Sequence, residues 1–216
     1  MSRKSGKNQH LFSRFQTEIT QLNAEAVLLE ETALPERLRG LELLRSGRKA
    51  AVLDCRWFRE TGVSKILNSL DRPELFWISG SQNSRWKEAD LRSLLGDTDI
   101  AILPAQNLIA ETGTIVLNSR KIPSSELSLL PDKLLVVAPE PSLVADLTAF
   151  YGQALPSMGK WGSHLIFISG PSRTSDIEKK LILGMHGPRE IFVVVLRSRN
   201  FQEGWGTGMS RQKGER

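Results

Sequence analysis

The chain has 216 residues, of which 40% are hydrophobic, enough for one soluble α/β domain with a real core. Its formal net charge is +5, yet Arg3, Lys4 and Lys7 lie in the first ten residues and Arg211, Lys213 and Arg216 in the last seventeen, the latter against Glu203 and Glu215. Residues 11–199 are therefore close to neutral, which argues against a DNA- or RNA-binding face. A single cysteine, Cys55, excludes an internal disulfide and suits a reducing cytoplasm.

Residues 1–9 are polar and are expected to form a flexible basic N-terminus. They carry no apolar stretch of the kind a secretory signal needs. Leu11, Phe15, Ile19 and Leu22 are spaced for one face of a helix. A second helix is expected over Pro35–Ser46, so that helices fill about 10–46. Short apolar runs then read as strands: Ala50–Leu53, Leu75–Ile78, Ile100–Leu103, Thr114–Leu117, Leu134–Ala138, Leu165–Ile168 and Ile191–Leu196. Most are separated by helical patterns, over Phe58–Leu70, Trp86–Leu95, Leu143–Leu155 and Ser175–Met185. The alternation predicts a mainly parallel sheet covered by helices on both faces. The runs at 100–103 and 114–117 are too close for a crossover helix, which predicts a mixed patch there. A single domain over 10–199 is expected, followed by a flexible tail at 200–216. No run is long enough to span a membrane.

Two turns have the residues to hold a ligand. The first is Ser169-Gly-Pro-Ser-Arg-Thr-Ser175. Free amides at the start of a helix over Ser175–Met185, the hydroxyls of Ser172 and Thr174, the guanidinium of Arg173 and the bare backbone of Gly170 would suit a phosphate or carboxylate. Helix capping by Ser175 and Glu178, with Asp176 complementing the dipole, accounts for the same residues without a ligand. Asp176 also puts negative charge where an anion would sit. The second turn is Ala110-Glu-Thr-Gly-Thr114. Thr112, Gly113 and Thr114 offer two hydroxyls and a flexible backbone, and Glu111 is a candidate base or nucleophile; a tight turn with a solvated glutamate is the plain alternative. His186, Gly187 and Pro188 would close the helix as last-turn histidine, cap and stop. A straight helix of that length, roughly 15 Å, keeps His186 and Arg173 from sharing one ligand. His10 and His164 have no Cys or His at metal spacing, so no metal site is expected.

Ile109-Ala-Glu-Thr-Gly-Thr-Ile-Val-Leu117, Leu129-Leu-Pro131, Ser169-Gly-Pro-Ser-Arg-Thr-Ser-Asp-Ile-Glu178 and Gly184-Met-His-Gly-Pro-Arg189 together resemble the LUD-domain family, in its stand-alone lactate-utilisation C type. The resemblance covers roughly residues 97–197. It implies a fold like that of ribose-5-phosphate isomerases, glucosamine-phosphate deaminases and CoA transferases, with an N-terminal helical extension. It also implies a part in oxidising L-lactate to pyruvate as a non-redox accessory or substrate-binding subunit. The iron–sulfur clusters would then belong to partner proteins, with no cofactor on this chain, since Cys55 alone cannot supply the roughly four ligands a cluster needs. An independent enzyme of isomerase or CoA-transferase type, acting on a small anionic metabolite through Glu111, is the alternative. Whether the chain catalyses anything is left open by its residues.

Overall fold

The computed structural model describes residues 3–79, 93–118, 125–154, 165–175, 181–183 and 187–197. Helix α1 (Arg3–Gln21) opens the chain, so residues 3–9, expected as a flexible segment, are helical. Phe12, Phe15 and Ile19 are its buried residues, with Leu11 and Leu22 half-buried beside them. Asn23 turns out of the helix with φ 63°, a left-handed conformation that asparagine tolerates at a helix end.

Six strands form one all-parallel sheet: β1 (Glu25–Glu30), β2 (Lys49–Asp54), β3 (Glu74–Ser79), β4 (Ile100–Pro104), β7 (Lys133–Pro139) and β12 (Glu190–Arg197). Their order is β1-β12-β7-β4-β2-β3. The central strands β4 and β7 are buried almost throughout, as both-faced burial requires. The strand β1 has no counterpart in the sequence reading. It is an edge strand whose Glu-Ala-Val-Leu-Leu-Glu text does not alternate.

One face of this sheet carries Val52, Ile102, Val137 and Val194 and is covered by four short helices. These are α2 (Leu34–Gly40), α3 (Glu42–Arg45), α4 (Arg56–Glu60) and α5 (Val63–Asn68). The expected helix over Pro35–Ser46 is thus split at Leu41, which is extended. The expected helix over Phe58–Leu70 is split at Gly62, which has φ 76°, a conformation glycine enters without penalty. Of the helix expected over Trp86–Leu95, only its end, within the helical residues 93–96, is described.

The opposite face carries Ala51, Leu103, Val136 and Val193 and packs against α1 together with a second sheet. That sheet is mixed, in the order β8-β5-β6-β9. Its strands are β5 (Asn107–Ile109), β6 (Thr114–Asn118), β8 (Leu143–Val144) and β9 (Leu165–Ile168). The mixed patch expected near 100–117 is therefore a separate layer: β6 pairs with β5, not β4. Leu108 and Ile115 face the main sheet, while Ile109 and Val116 face the last layer, helix α6 (Leu147–Ala154). The helix expected over Leu143–Leu155 begins only at Leu147, because Leu143 and Val144 pair with β5 and Asp146 accepts the Ala149 amide at 2.7 Å as a helix cap.

A larger correction concerns Ser175–Met185. Strands β10 (Arg173–Ser175) and β11 (Leu181–Leu183) pair antiparallel, with Thr174 opposite Ile182 and Ser175 opposite Leu181. At the described residues of that span, Ser175 and Leu181–Leu183, the chain is strand and not helix. A short apolar run such as Leu181–Leu183 fits either period, and the register sets two β-branched residues across from each other, which favours the sheet.

Candidate functional site

The two turns singled out in the sequence meet. Strands β6 and β9 pair antiparallel with Ile115 opposite Ile168, which carries Thr114 to Ser169 one step further along. The Thr114 and Ser169 hydroxyls lie 2.8 Å apart and those of Thr112 and Thr114 2.6 Å apart. Thr114 is buried while Thr112 and Ser169 reach solvent. The result is a short chain of hydroxyls whose buried middle member is hydrogen-bonded to both of its neighbours. Ser169 was not among the candidates; its signal becomes readable only once the β6–β9 register is known.

Both glycines in these turns lie against the end of α1. Gly113 has φ 60°, and a Cβ there would stand 2.6 Å from the Ile19 amide nitrogen. Gly170 has φ 80°, and a Cβ there would stand 2.7 Å from the Leu22 carbonyl oxygen. Any side chain at either position would push backbone against backbone. The glycines therefore make a close joint between the second sheet and α1, a role that needs no ligand.

Gly187 and Pro188 join the same cluster. The Ser172 amide donates to the Pro188 carbonyl at 2.9 Å, and a Cβ on Gly187 would lie 3.0 Å from that of Ser172. Gly187 therefore packs beside Ser172 instead of capping a helix over Ser175–Met185. The straight-helix argument that held the two ends of this segment apart falls with that helix. Arg173 and Thr174 lie on β10, where Arg173 pairs with Leu183. Asp176, Glu178 and His186 lie outside the described residues.

The electrostatics of the joint differ from the expectation. The amides of a new helix are not what faces the turns at 112–114 and 169–172; the carboxyl end of α1 is. That end carries the negative pole of the helix dipole, and the Leu22 carbonyl lies within reach of Gly170. Glu111 sits at the rim, half-exposed and 3.5 Å from Arg14 on α1. Its carboxylate is open to water and paired with a guanidinium rather than held in a pocket. Among the described residues, no group of three or more His, Cys, Asp or Glu is placed to hold a metal. No described helix is long and apolar enough to cross a membrane.

The fold and joint define an α/β protein built on an all-parallel six-stranded sheet, with a mixed four-stranded sheet locked to α1 by two glycine turns. A profile of the LUD domain matches residues 13–196. The chain belongs to the LUD-domain family. It is similar to a lactate utilization protein C from Exiguobacterium sp. (31% identity, 89% of this chain and 80% of that protein). A protein of the same description from Shouchella clausii is 30% identical, covering 77% of this chain and 68% of its own length. Among solved structures, a DUF162 family protein from Deinococcus radiodurans is similar, with a TM-score of 0.59 over 88% of this chain and 98% of that one, at 21% identity.

Proposed function

We propose that this chain acts in L-lactate utilisation as the non-redox accessory subunit of a cytoplasmic system in which iron–sulfur partner proteins oxidise lactate to pyruvate. The observation that carries this reading is the similarity, over most of the chain, to proteins described as lactate utilization protein C. Oxidation of lactate releases two electrons and two protons, and these need a redox centre to receive them. One cysteine in 216 residues cannot supply the roughly four ligands of an iron–sulfur cluster, so in this reading the clusters sit on the partners.

Between an accessory and a substrate-binding role, the geometry supports the accessory one. The hydroxyl of Thr114 has both partners within the protein, and the negative end of α1 opposes an anion at the joint. Reading the chain as an independent enzyme gains nothing from Glu111, whose partner is Arg14. Deletion of the gene in its own organism tests the proposal. Growth on L-lactate should fail and return with a plasmid copy; unimpaired growth in a strain lacking any other lactate oxidase would refute it.

A further inference from the structure

The strand β1 closes one edge of the parallel sheet, and among the described residues nothing pairs with its outer side. A cleft of about 500 Å³ runs along this edge. Its walls come from both faces of the sheet: Phe12 and Gln16 of α1 on one, Arg37 of α2 on the other, with Val27 to Leu29 of β1 between them. A cavity that straddles an edge strand has the shape to receive another strand. Gln16 already covers one edge group, its amide donating to the Ala26 carbonyl at 2.8 Å. Unpaired edges of this kind template strand addition unless they are charged, bulged or covered.

The charges along the edge point to the occupant. At the amino half, Arg37 lies over the ring of Phe192, 5.1 Å from its centroid, and Phe192 is the register partner of Glu25. Its Nε is buried without a hydrogen bond, and it has no ion pair among the described residues. Glu25 at the same end is exposed and is likewise unpaired among the described residues. At the carboxyl end, Arg197 holds Glu30 at 3.2 Å and Glu140 at 3.7 Å and is also bonded to Gln9. Two copies of β1 laid antiparallel across a two-fold axis would bring each end of one against the opposite end of the other. Arg37 would then meet the second copy's Glu30, and Glu25 would meet the second copy's Arg197. The glutamates that face each other in that register would repel alone, but each has an arginine beside it.

We infer that this chain forms a two-fold dimer by antiparallel addition of β1 to β1, held in register by Arg37 and Arg197 against the glutamates of the second copy. An interface of this kind is isologous, so one substitution acts twice. Sedimentation of the full chain across a range of concentrations, paired with hydrogen exchange of residues 25–30, tests it. The expected result is a dimer whose β1 amides gain protection as concentration rises. Arg37→Glu should raise the dissociation constant by at least about 100-fold, through two lost contacts of roughly tenfold each, while the monomer stays folded with a melting temperature lowered slightly by the lost contact with Phe192. Leu28→Lys, which leaves the ion pairs in place and puts a charge into the strand contact, should weaken association as well. A monomer at every concentration, or a dimer indifferent to both substitutions and without added protection in β1, would overturn the inference.

Discussion

Gly113 is where the joint is least tolerant of change. Its φ of 60° and the 2.6 Å approach of a would-be Cβ to the Ile19 nitrogen combine a left-handed backbone with a steric clash against main chain. Gly113→Ala should cost about 2–4 kcal/mol, from the left-handed conformation and the forced shift of α1 together. Gly152 in α6 has open space around it, and Gly152→Ala should be neutral or stabilising by up to about 1 kcal/mol. Urea denaturation of the two variants checks the contrast. Thr114 makes a different test. Thr114→Val keeps the shape and removes the hydroxyl that links Thr112 to Ser169, at a cost of about 1–2 kcal/mol. If these hydroxyls serve the fold alone, the variant's thermal response to added phosphate or lactate should match that of the unaltered chain; loss of a ligand-induced shift would restore the ligand reading of this turn.

At the scale of elements, the clearest signals were the long apolar runs. All seven expected strands form: runs such as Ile191–Leu196 are buried on both faces, while Leu75–Ile78 and Leu165–Ile168 are only partly buried and are held by their strand partners. The elements that escaped were short or on an edge. β8 has two residues and β5 three, and both are specified by partners rather than by their own pattern. The helix over Ser175–Met185 failed for the same reason: the local capping text was plausible, but the pairing of Thr174 with Ile182 is a tertiary fact. The site shared this fate in part. Thr112, Gly113, Thr114, Gly170 and Gly187 were legible as unusual residues, whereas the packing of Gly113 and Gly170 against the end of α1 depended on contacts more than ninety residues away in sequence.

Between elements, Asp99 ties β2 to β4. It accepts the amides of Arg48 at 2.7 Å and Lys49 at 3.2 Å, with the Arg48 guanidinium at 3.5 Å. Partial burial works against its charge, but those backbone and guanidinium contacts outweigh it and hold the carboxyl below its ordinary value. A carboxyl depressed in the folded state stabilises above its unfolded pKa, about 3.9, and that contribution is lost as pH falls through the lower, folded-state value. Asp99→Asn should therefore lower stability at neutral pH and flatten the acid limb of a stability–pH curve. An acid limb identical in the variant would show that Asp99 does not carry this linkage.

Taken whole, the molecule is four layers: short helices, a parallel sheet, α1 with a mixed sheet, and α6. Its close approaches are structural, and its only cysteine is half-buried. Its similarity to lactate utilization proteins C supports a part in lactate utilisation, and the proposed accessory role requires redox partners to take the electrons. The most direct measurement is reconstitution: the purified iron–sulfur proteins of the lactate pathway are mixed with L-lactate and a two-electron dye, with and without this chain. Lactate-dependent dye reduction should need the chain while the clusters reside wholly in the partners. Full dye reduction in its absence would contradict the account.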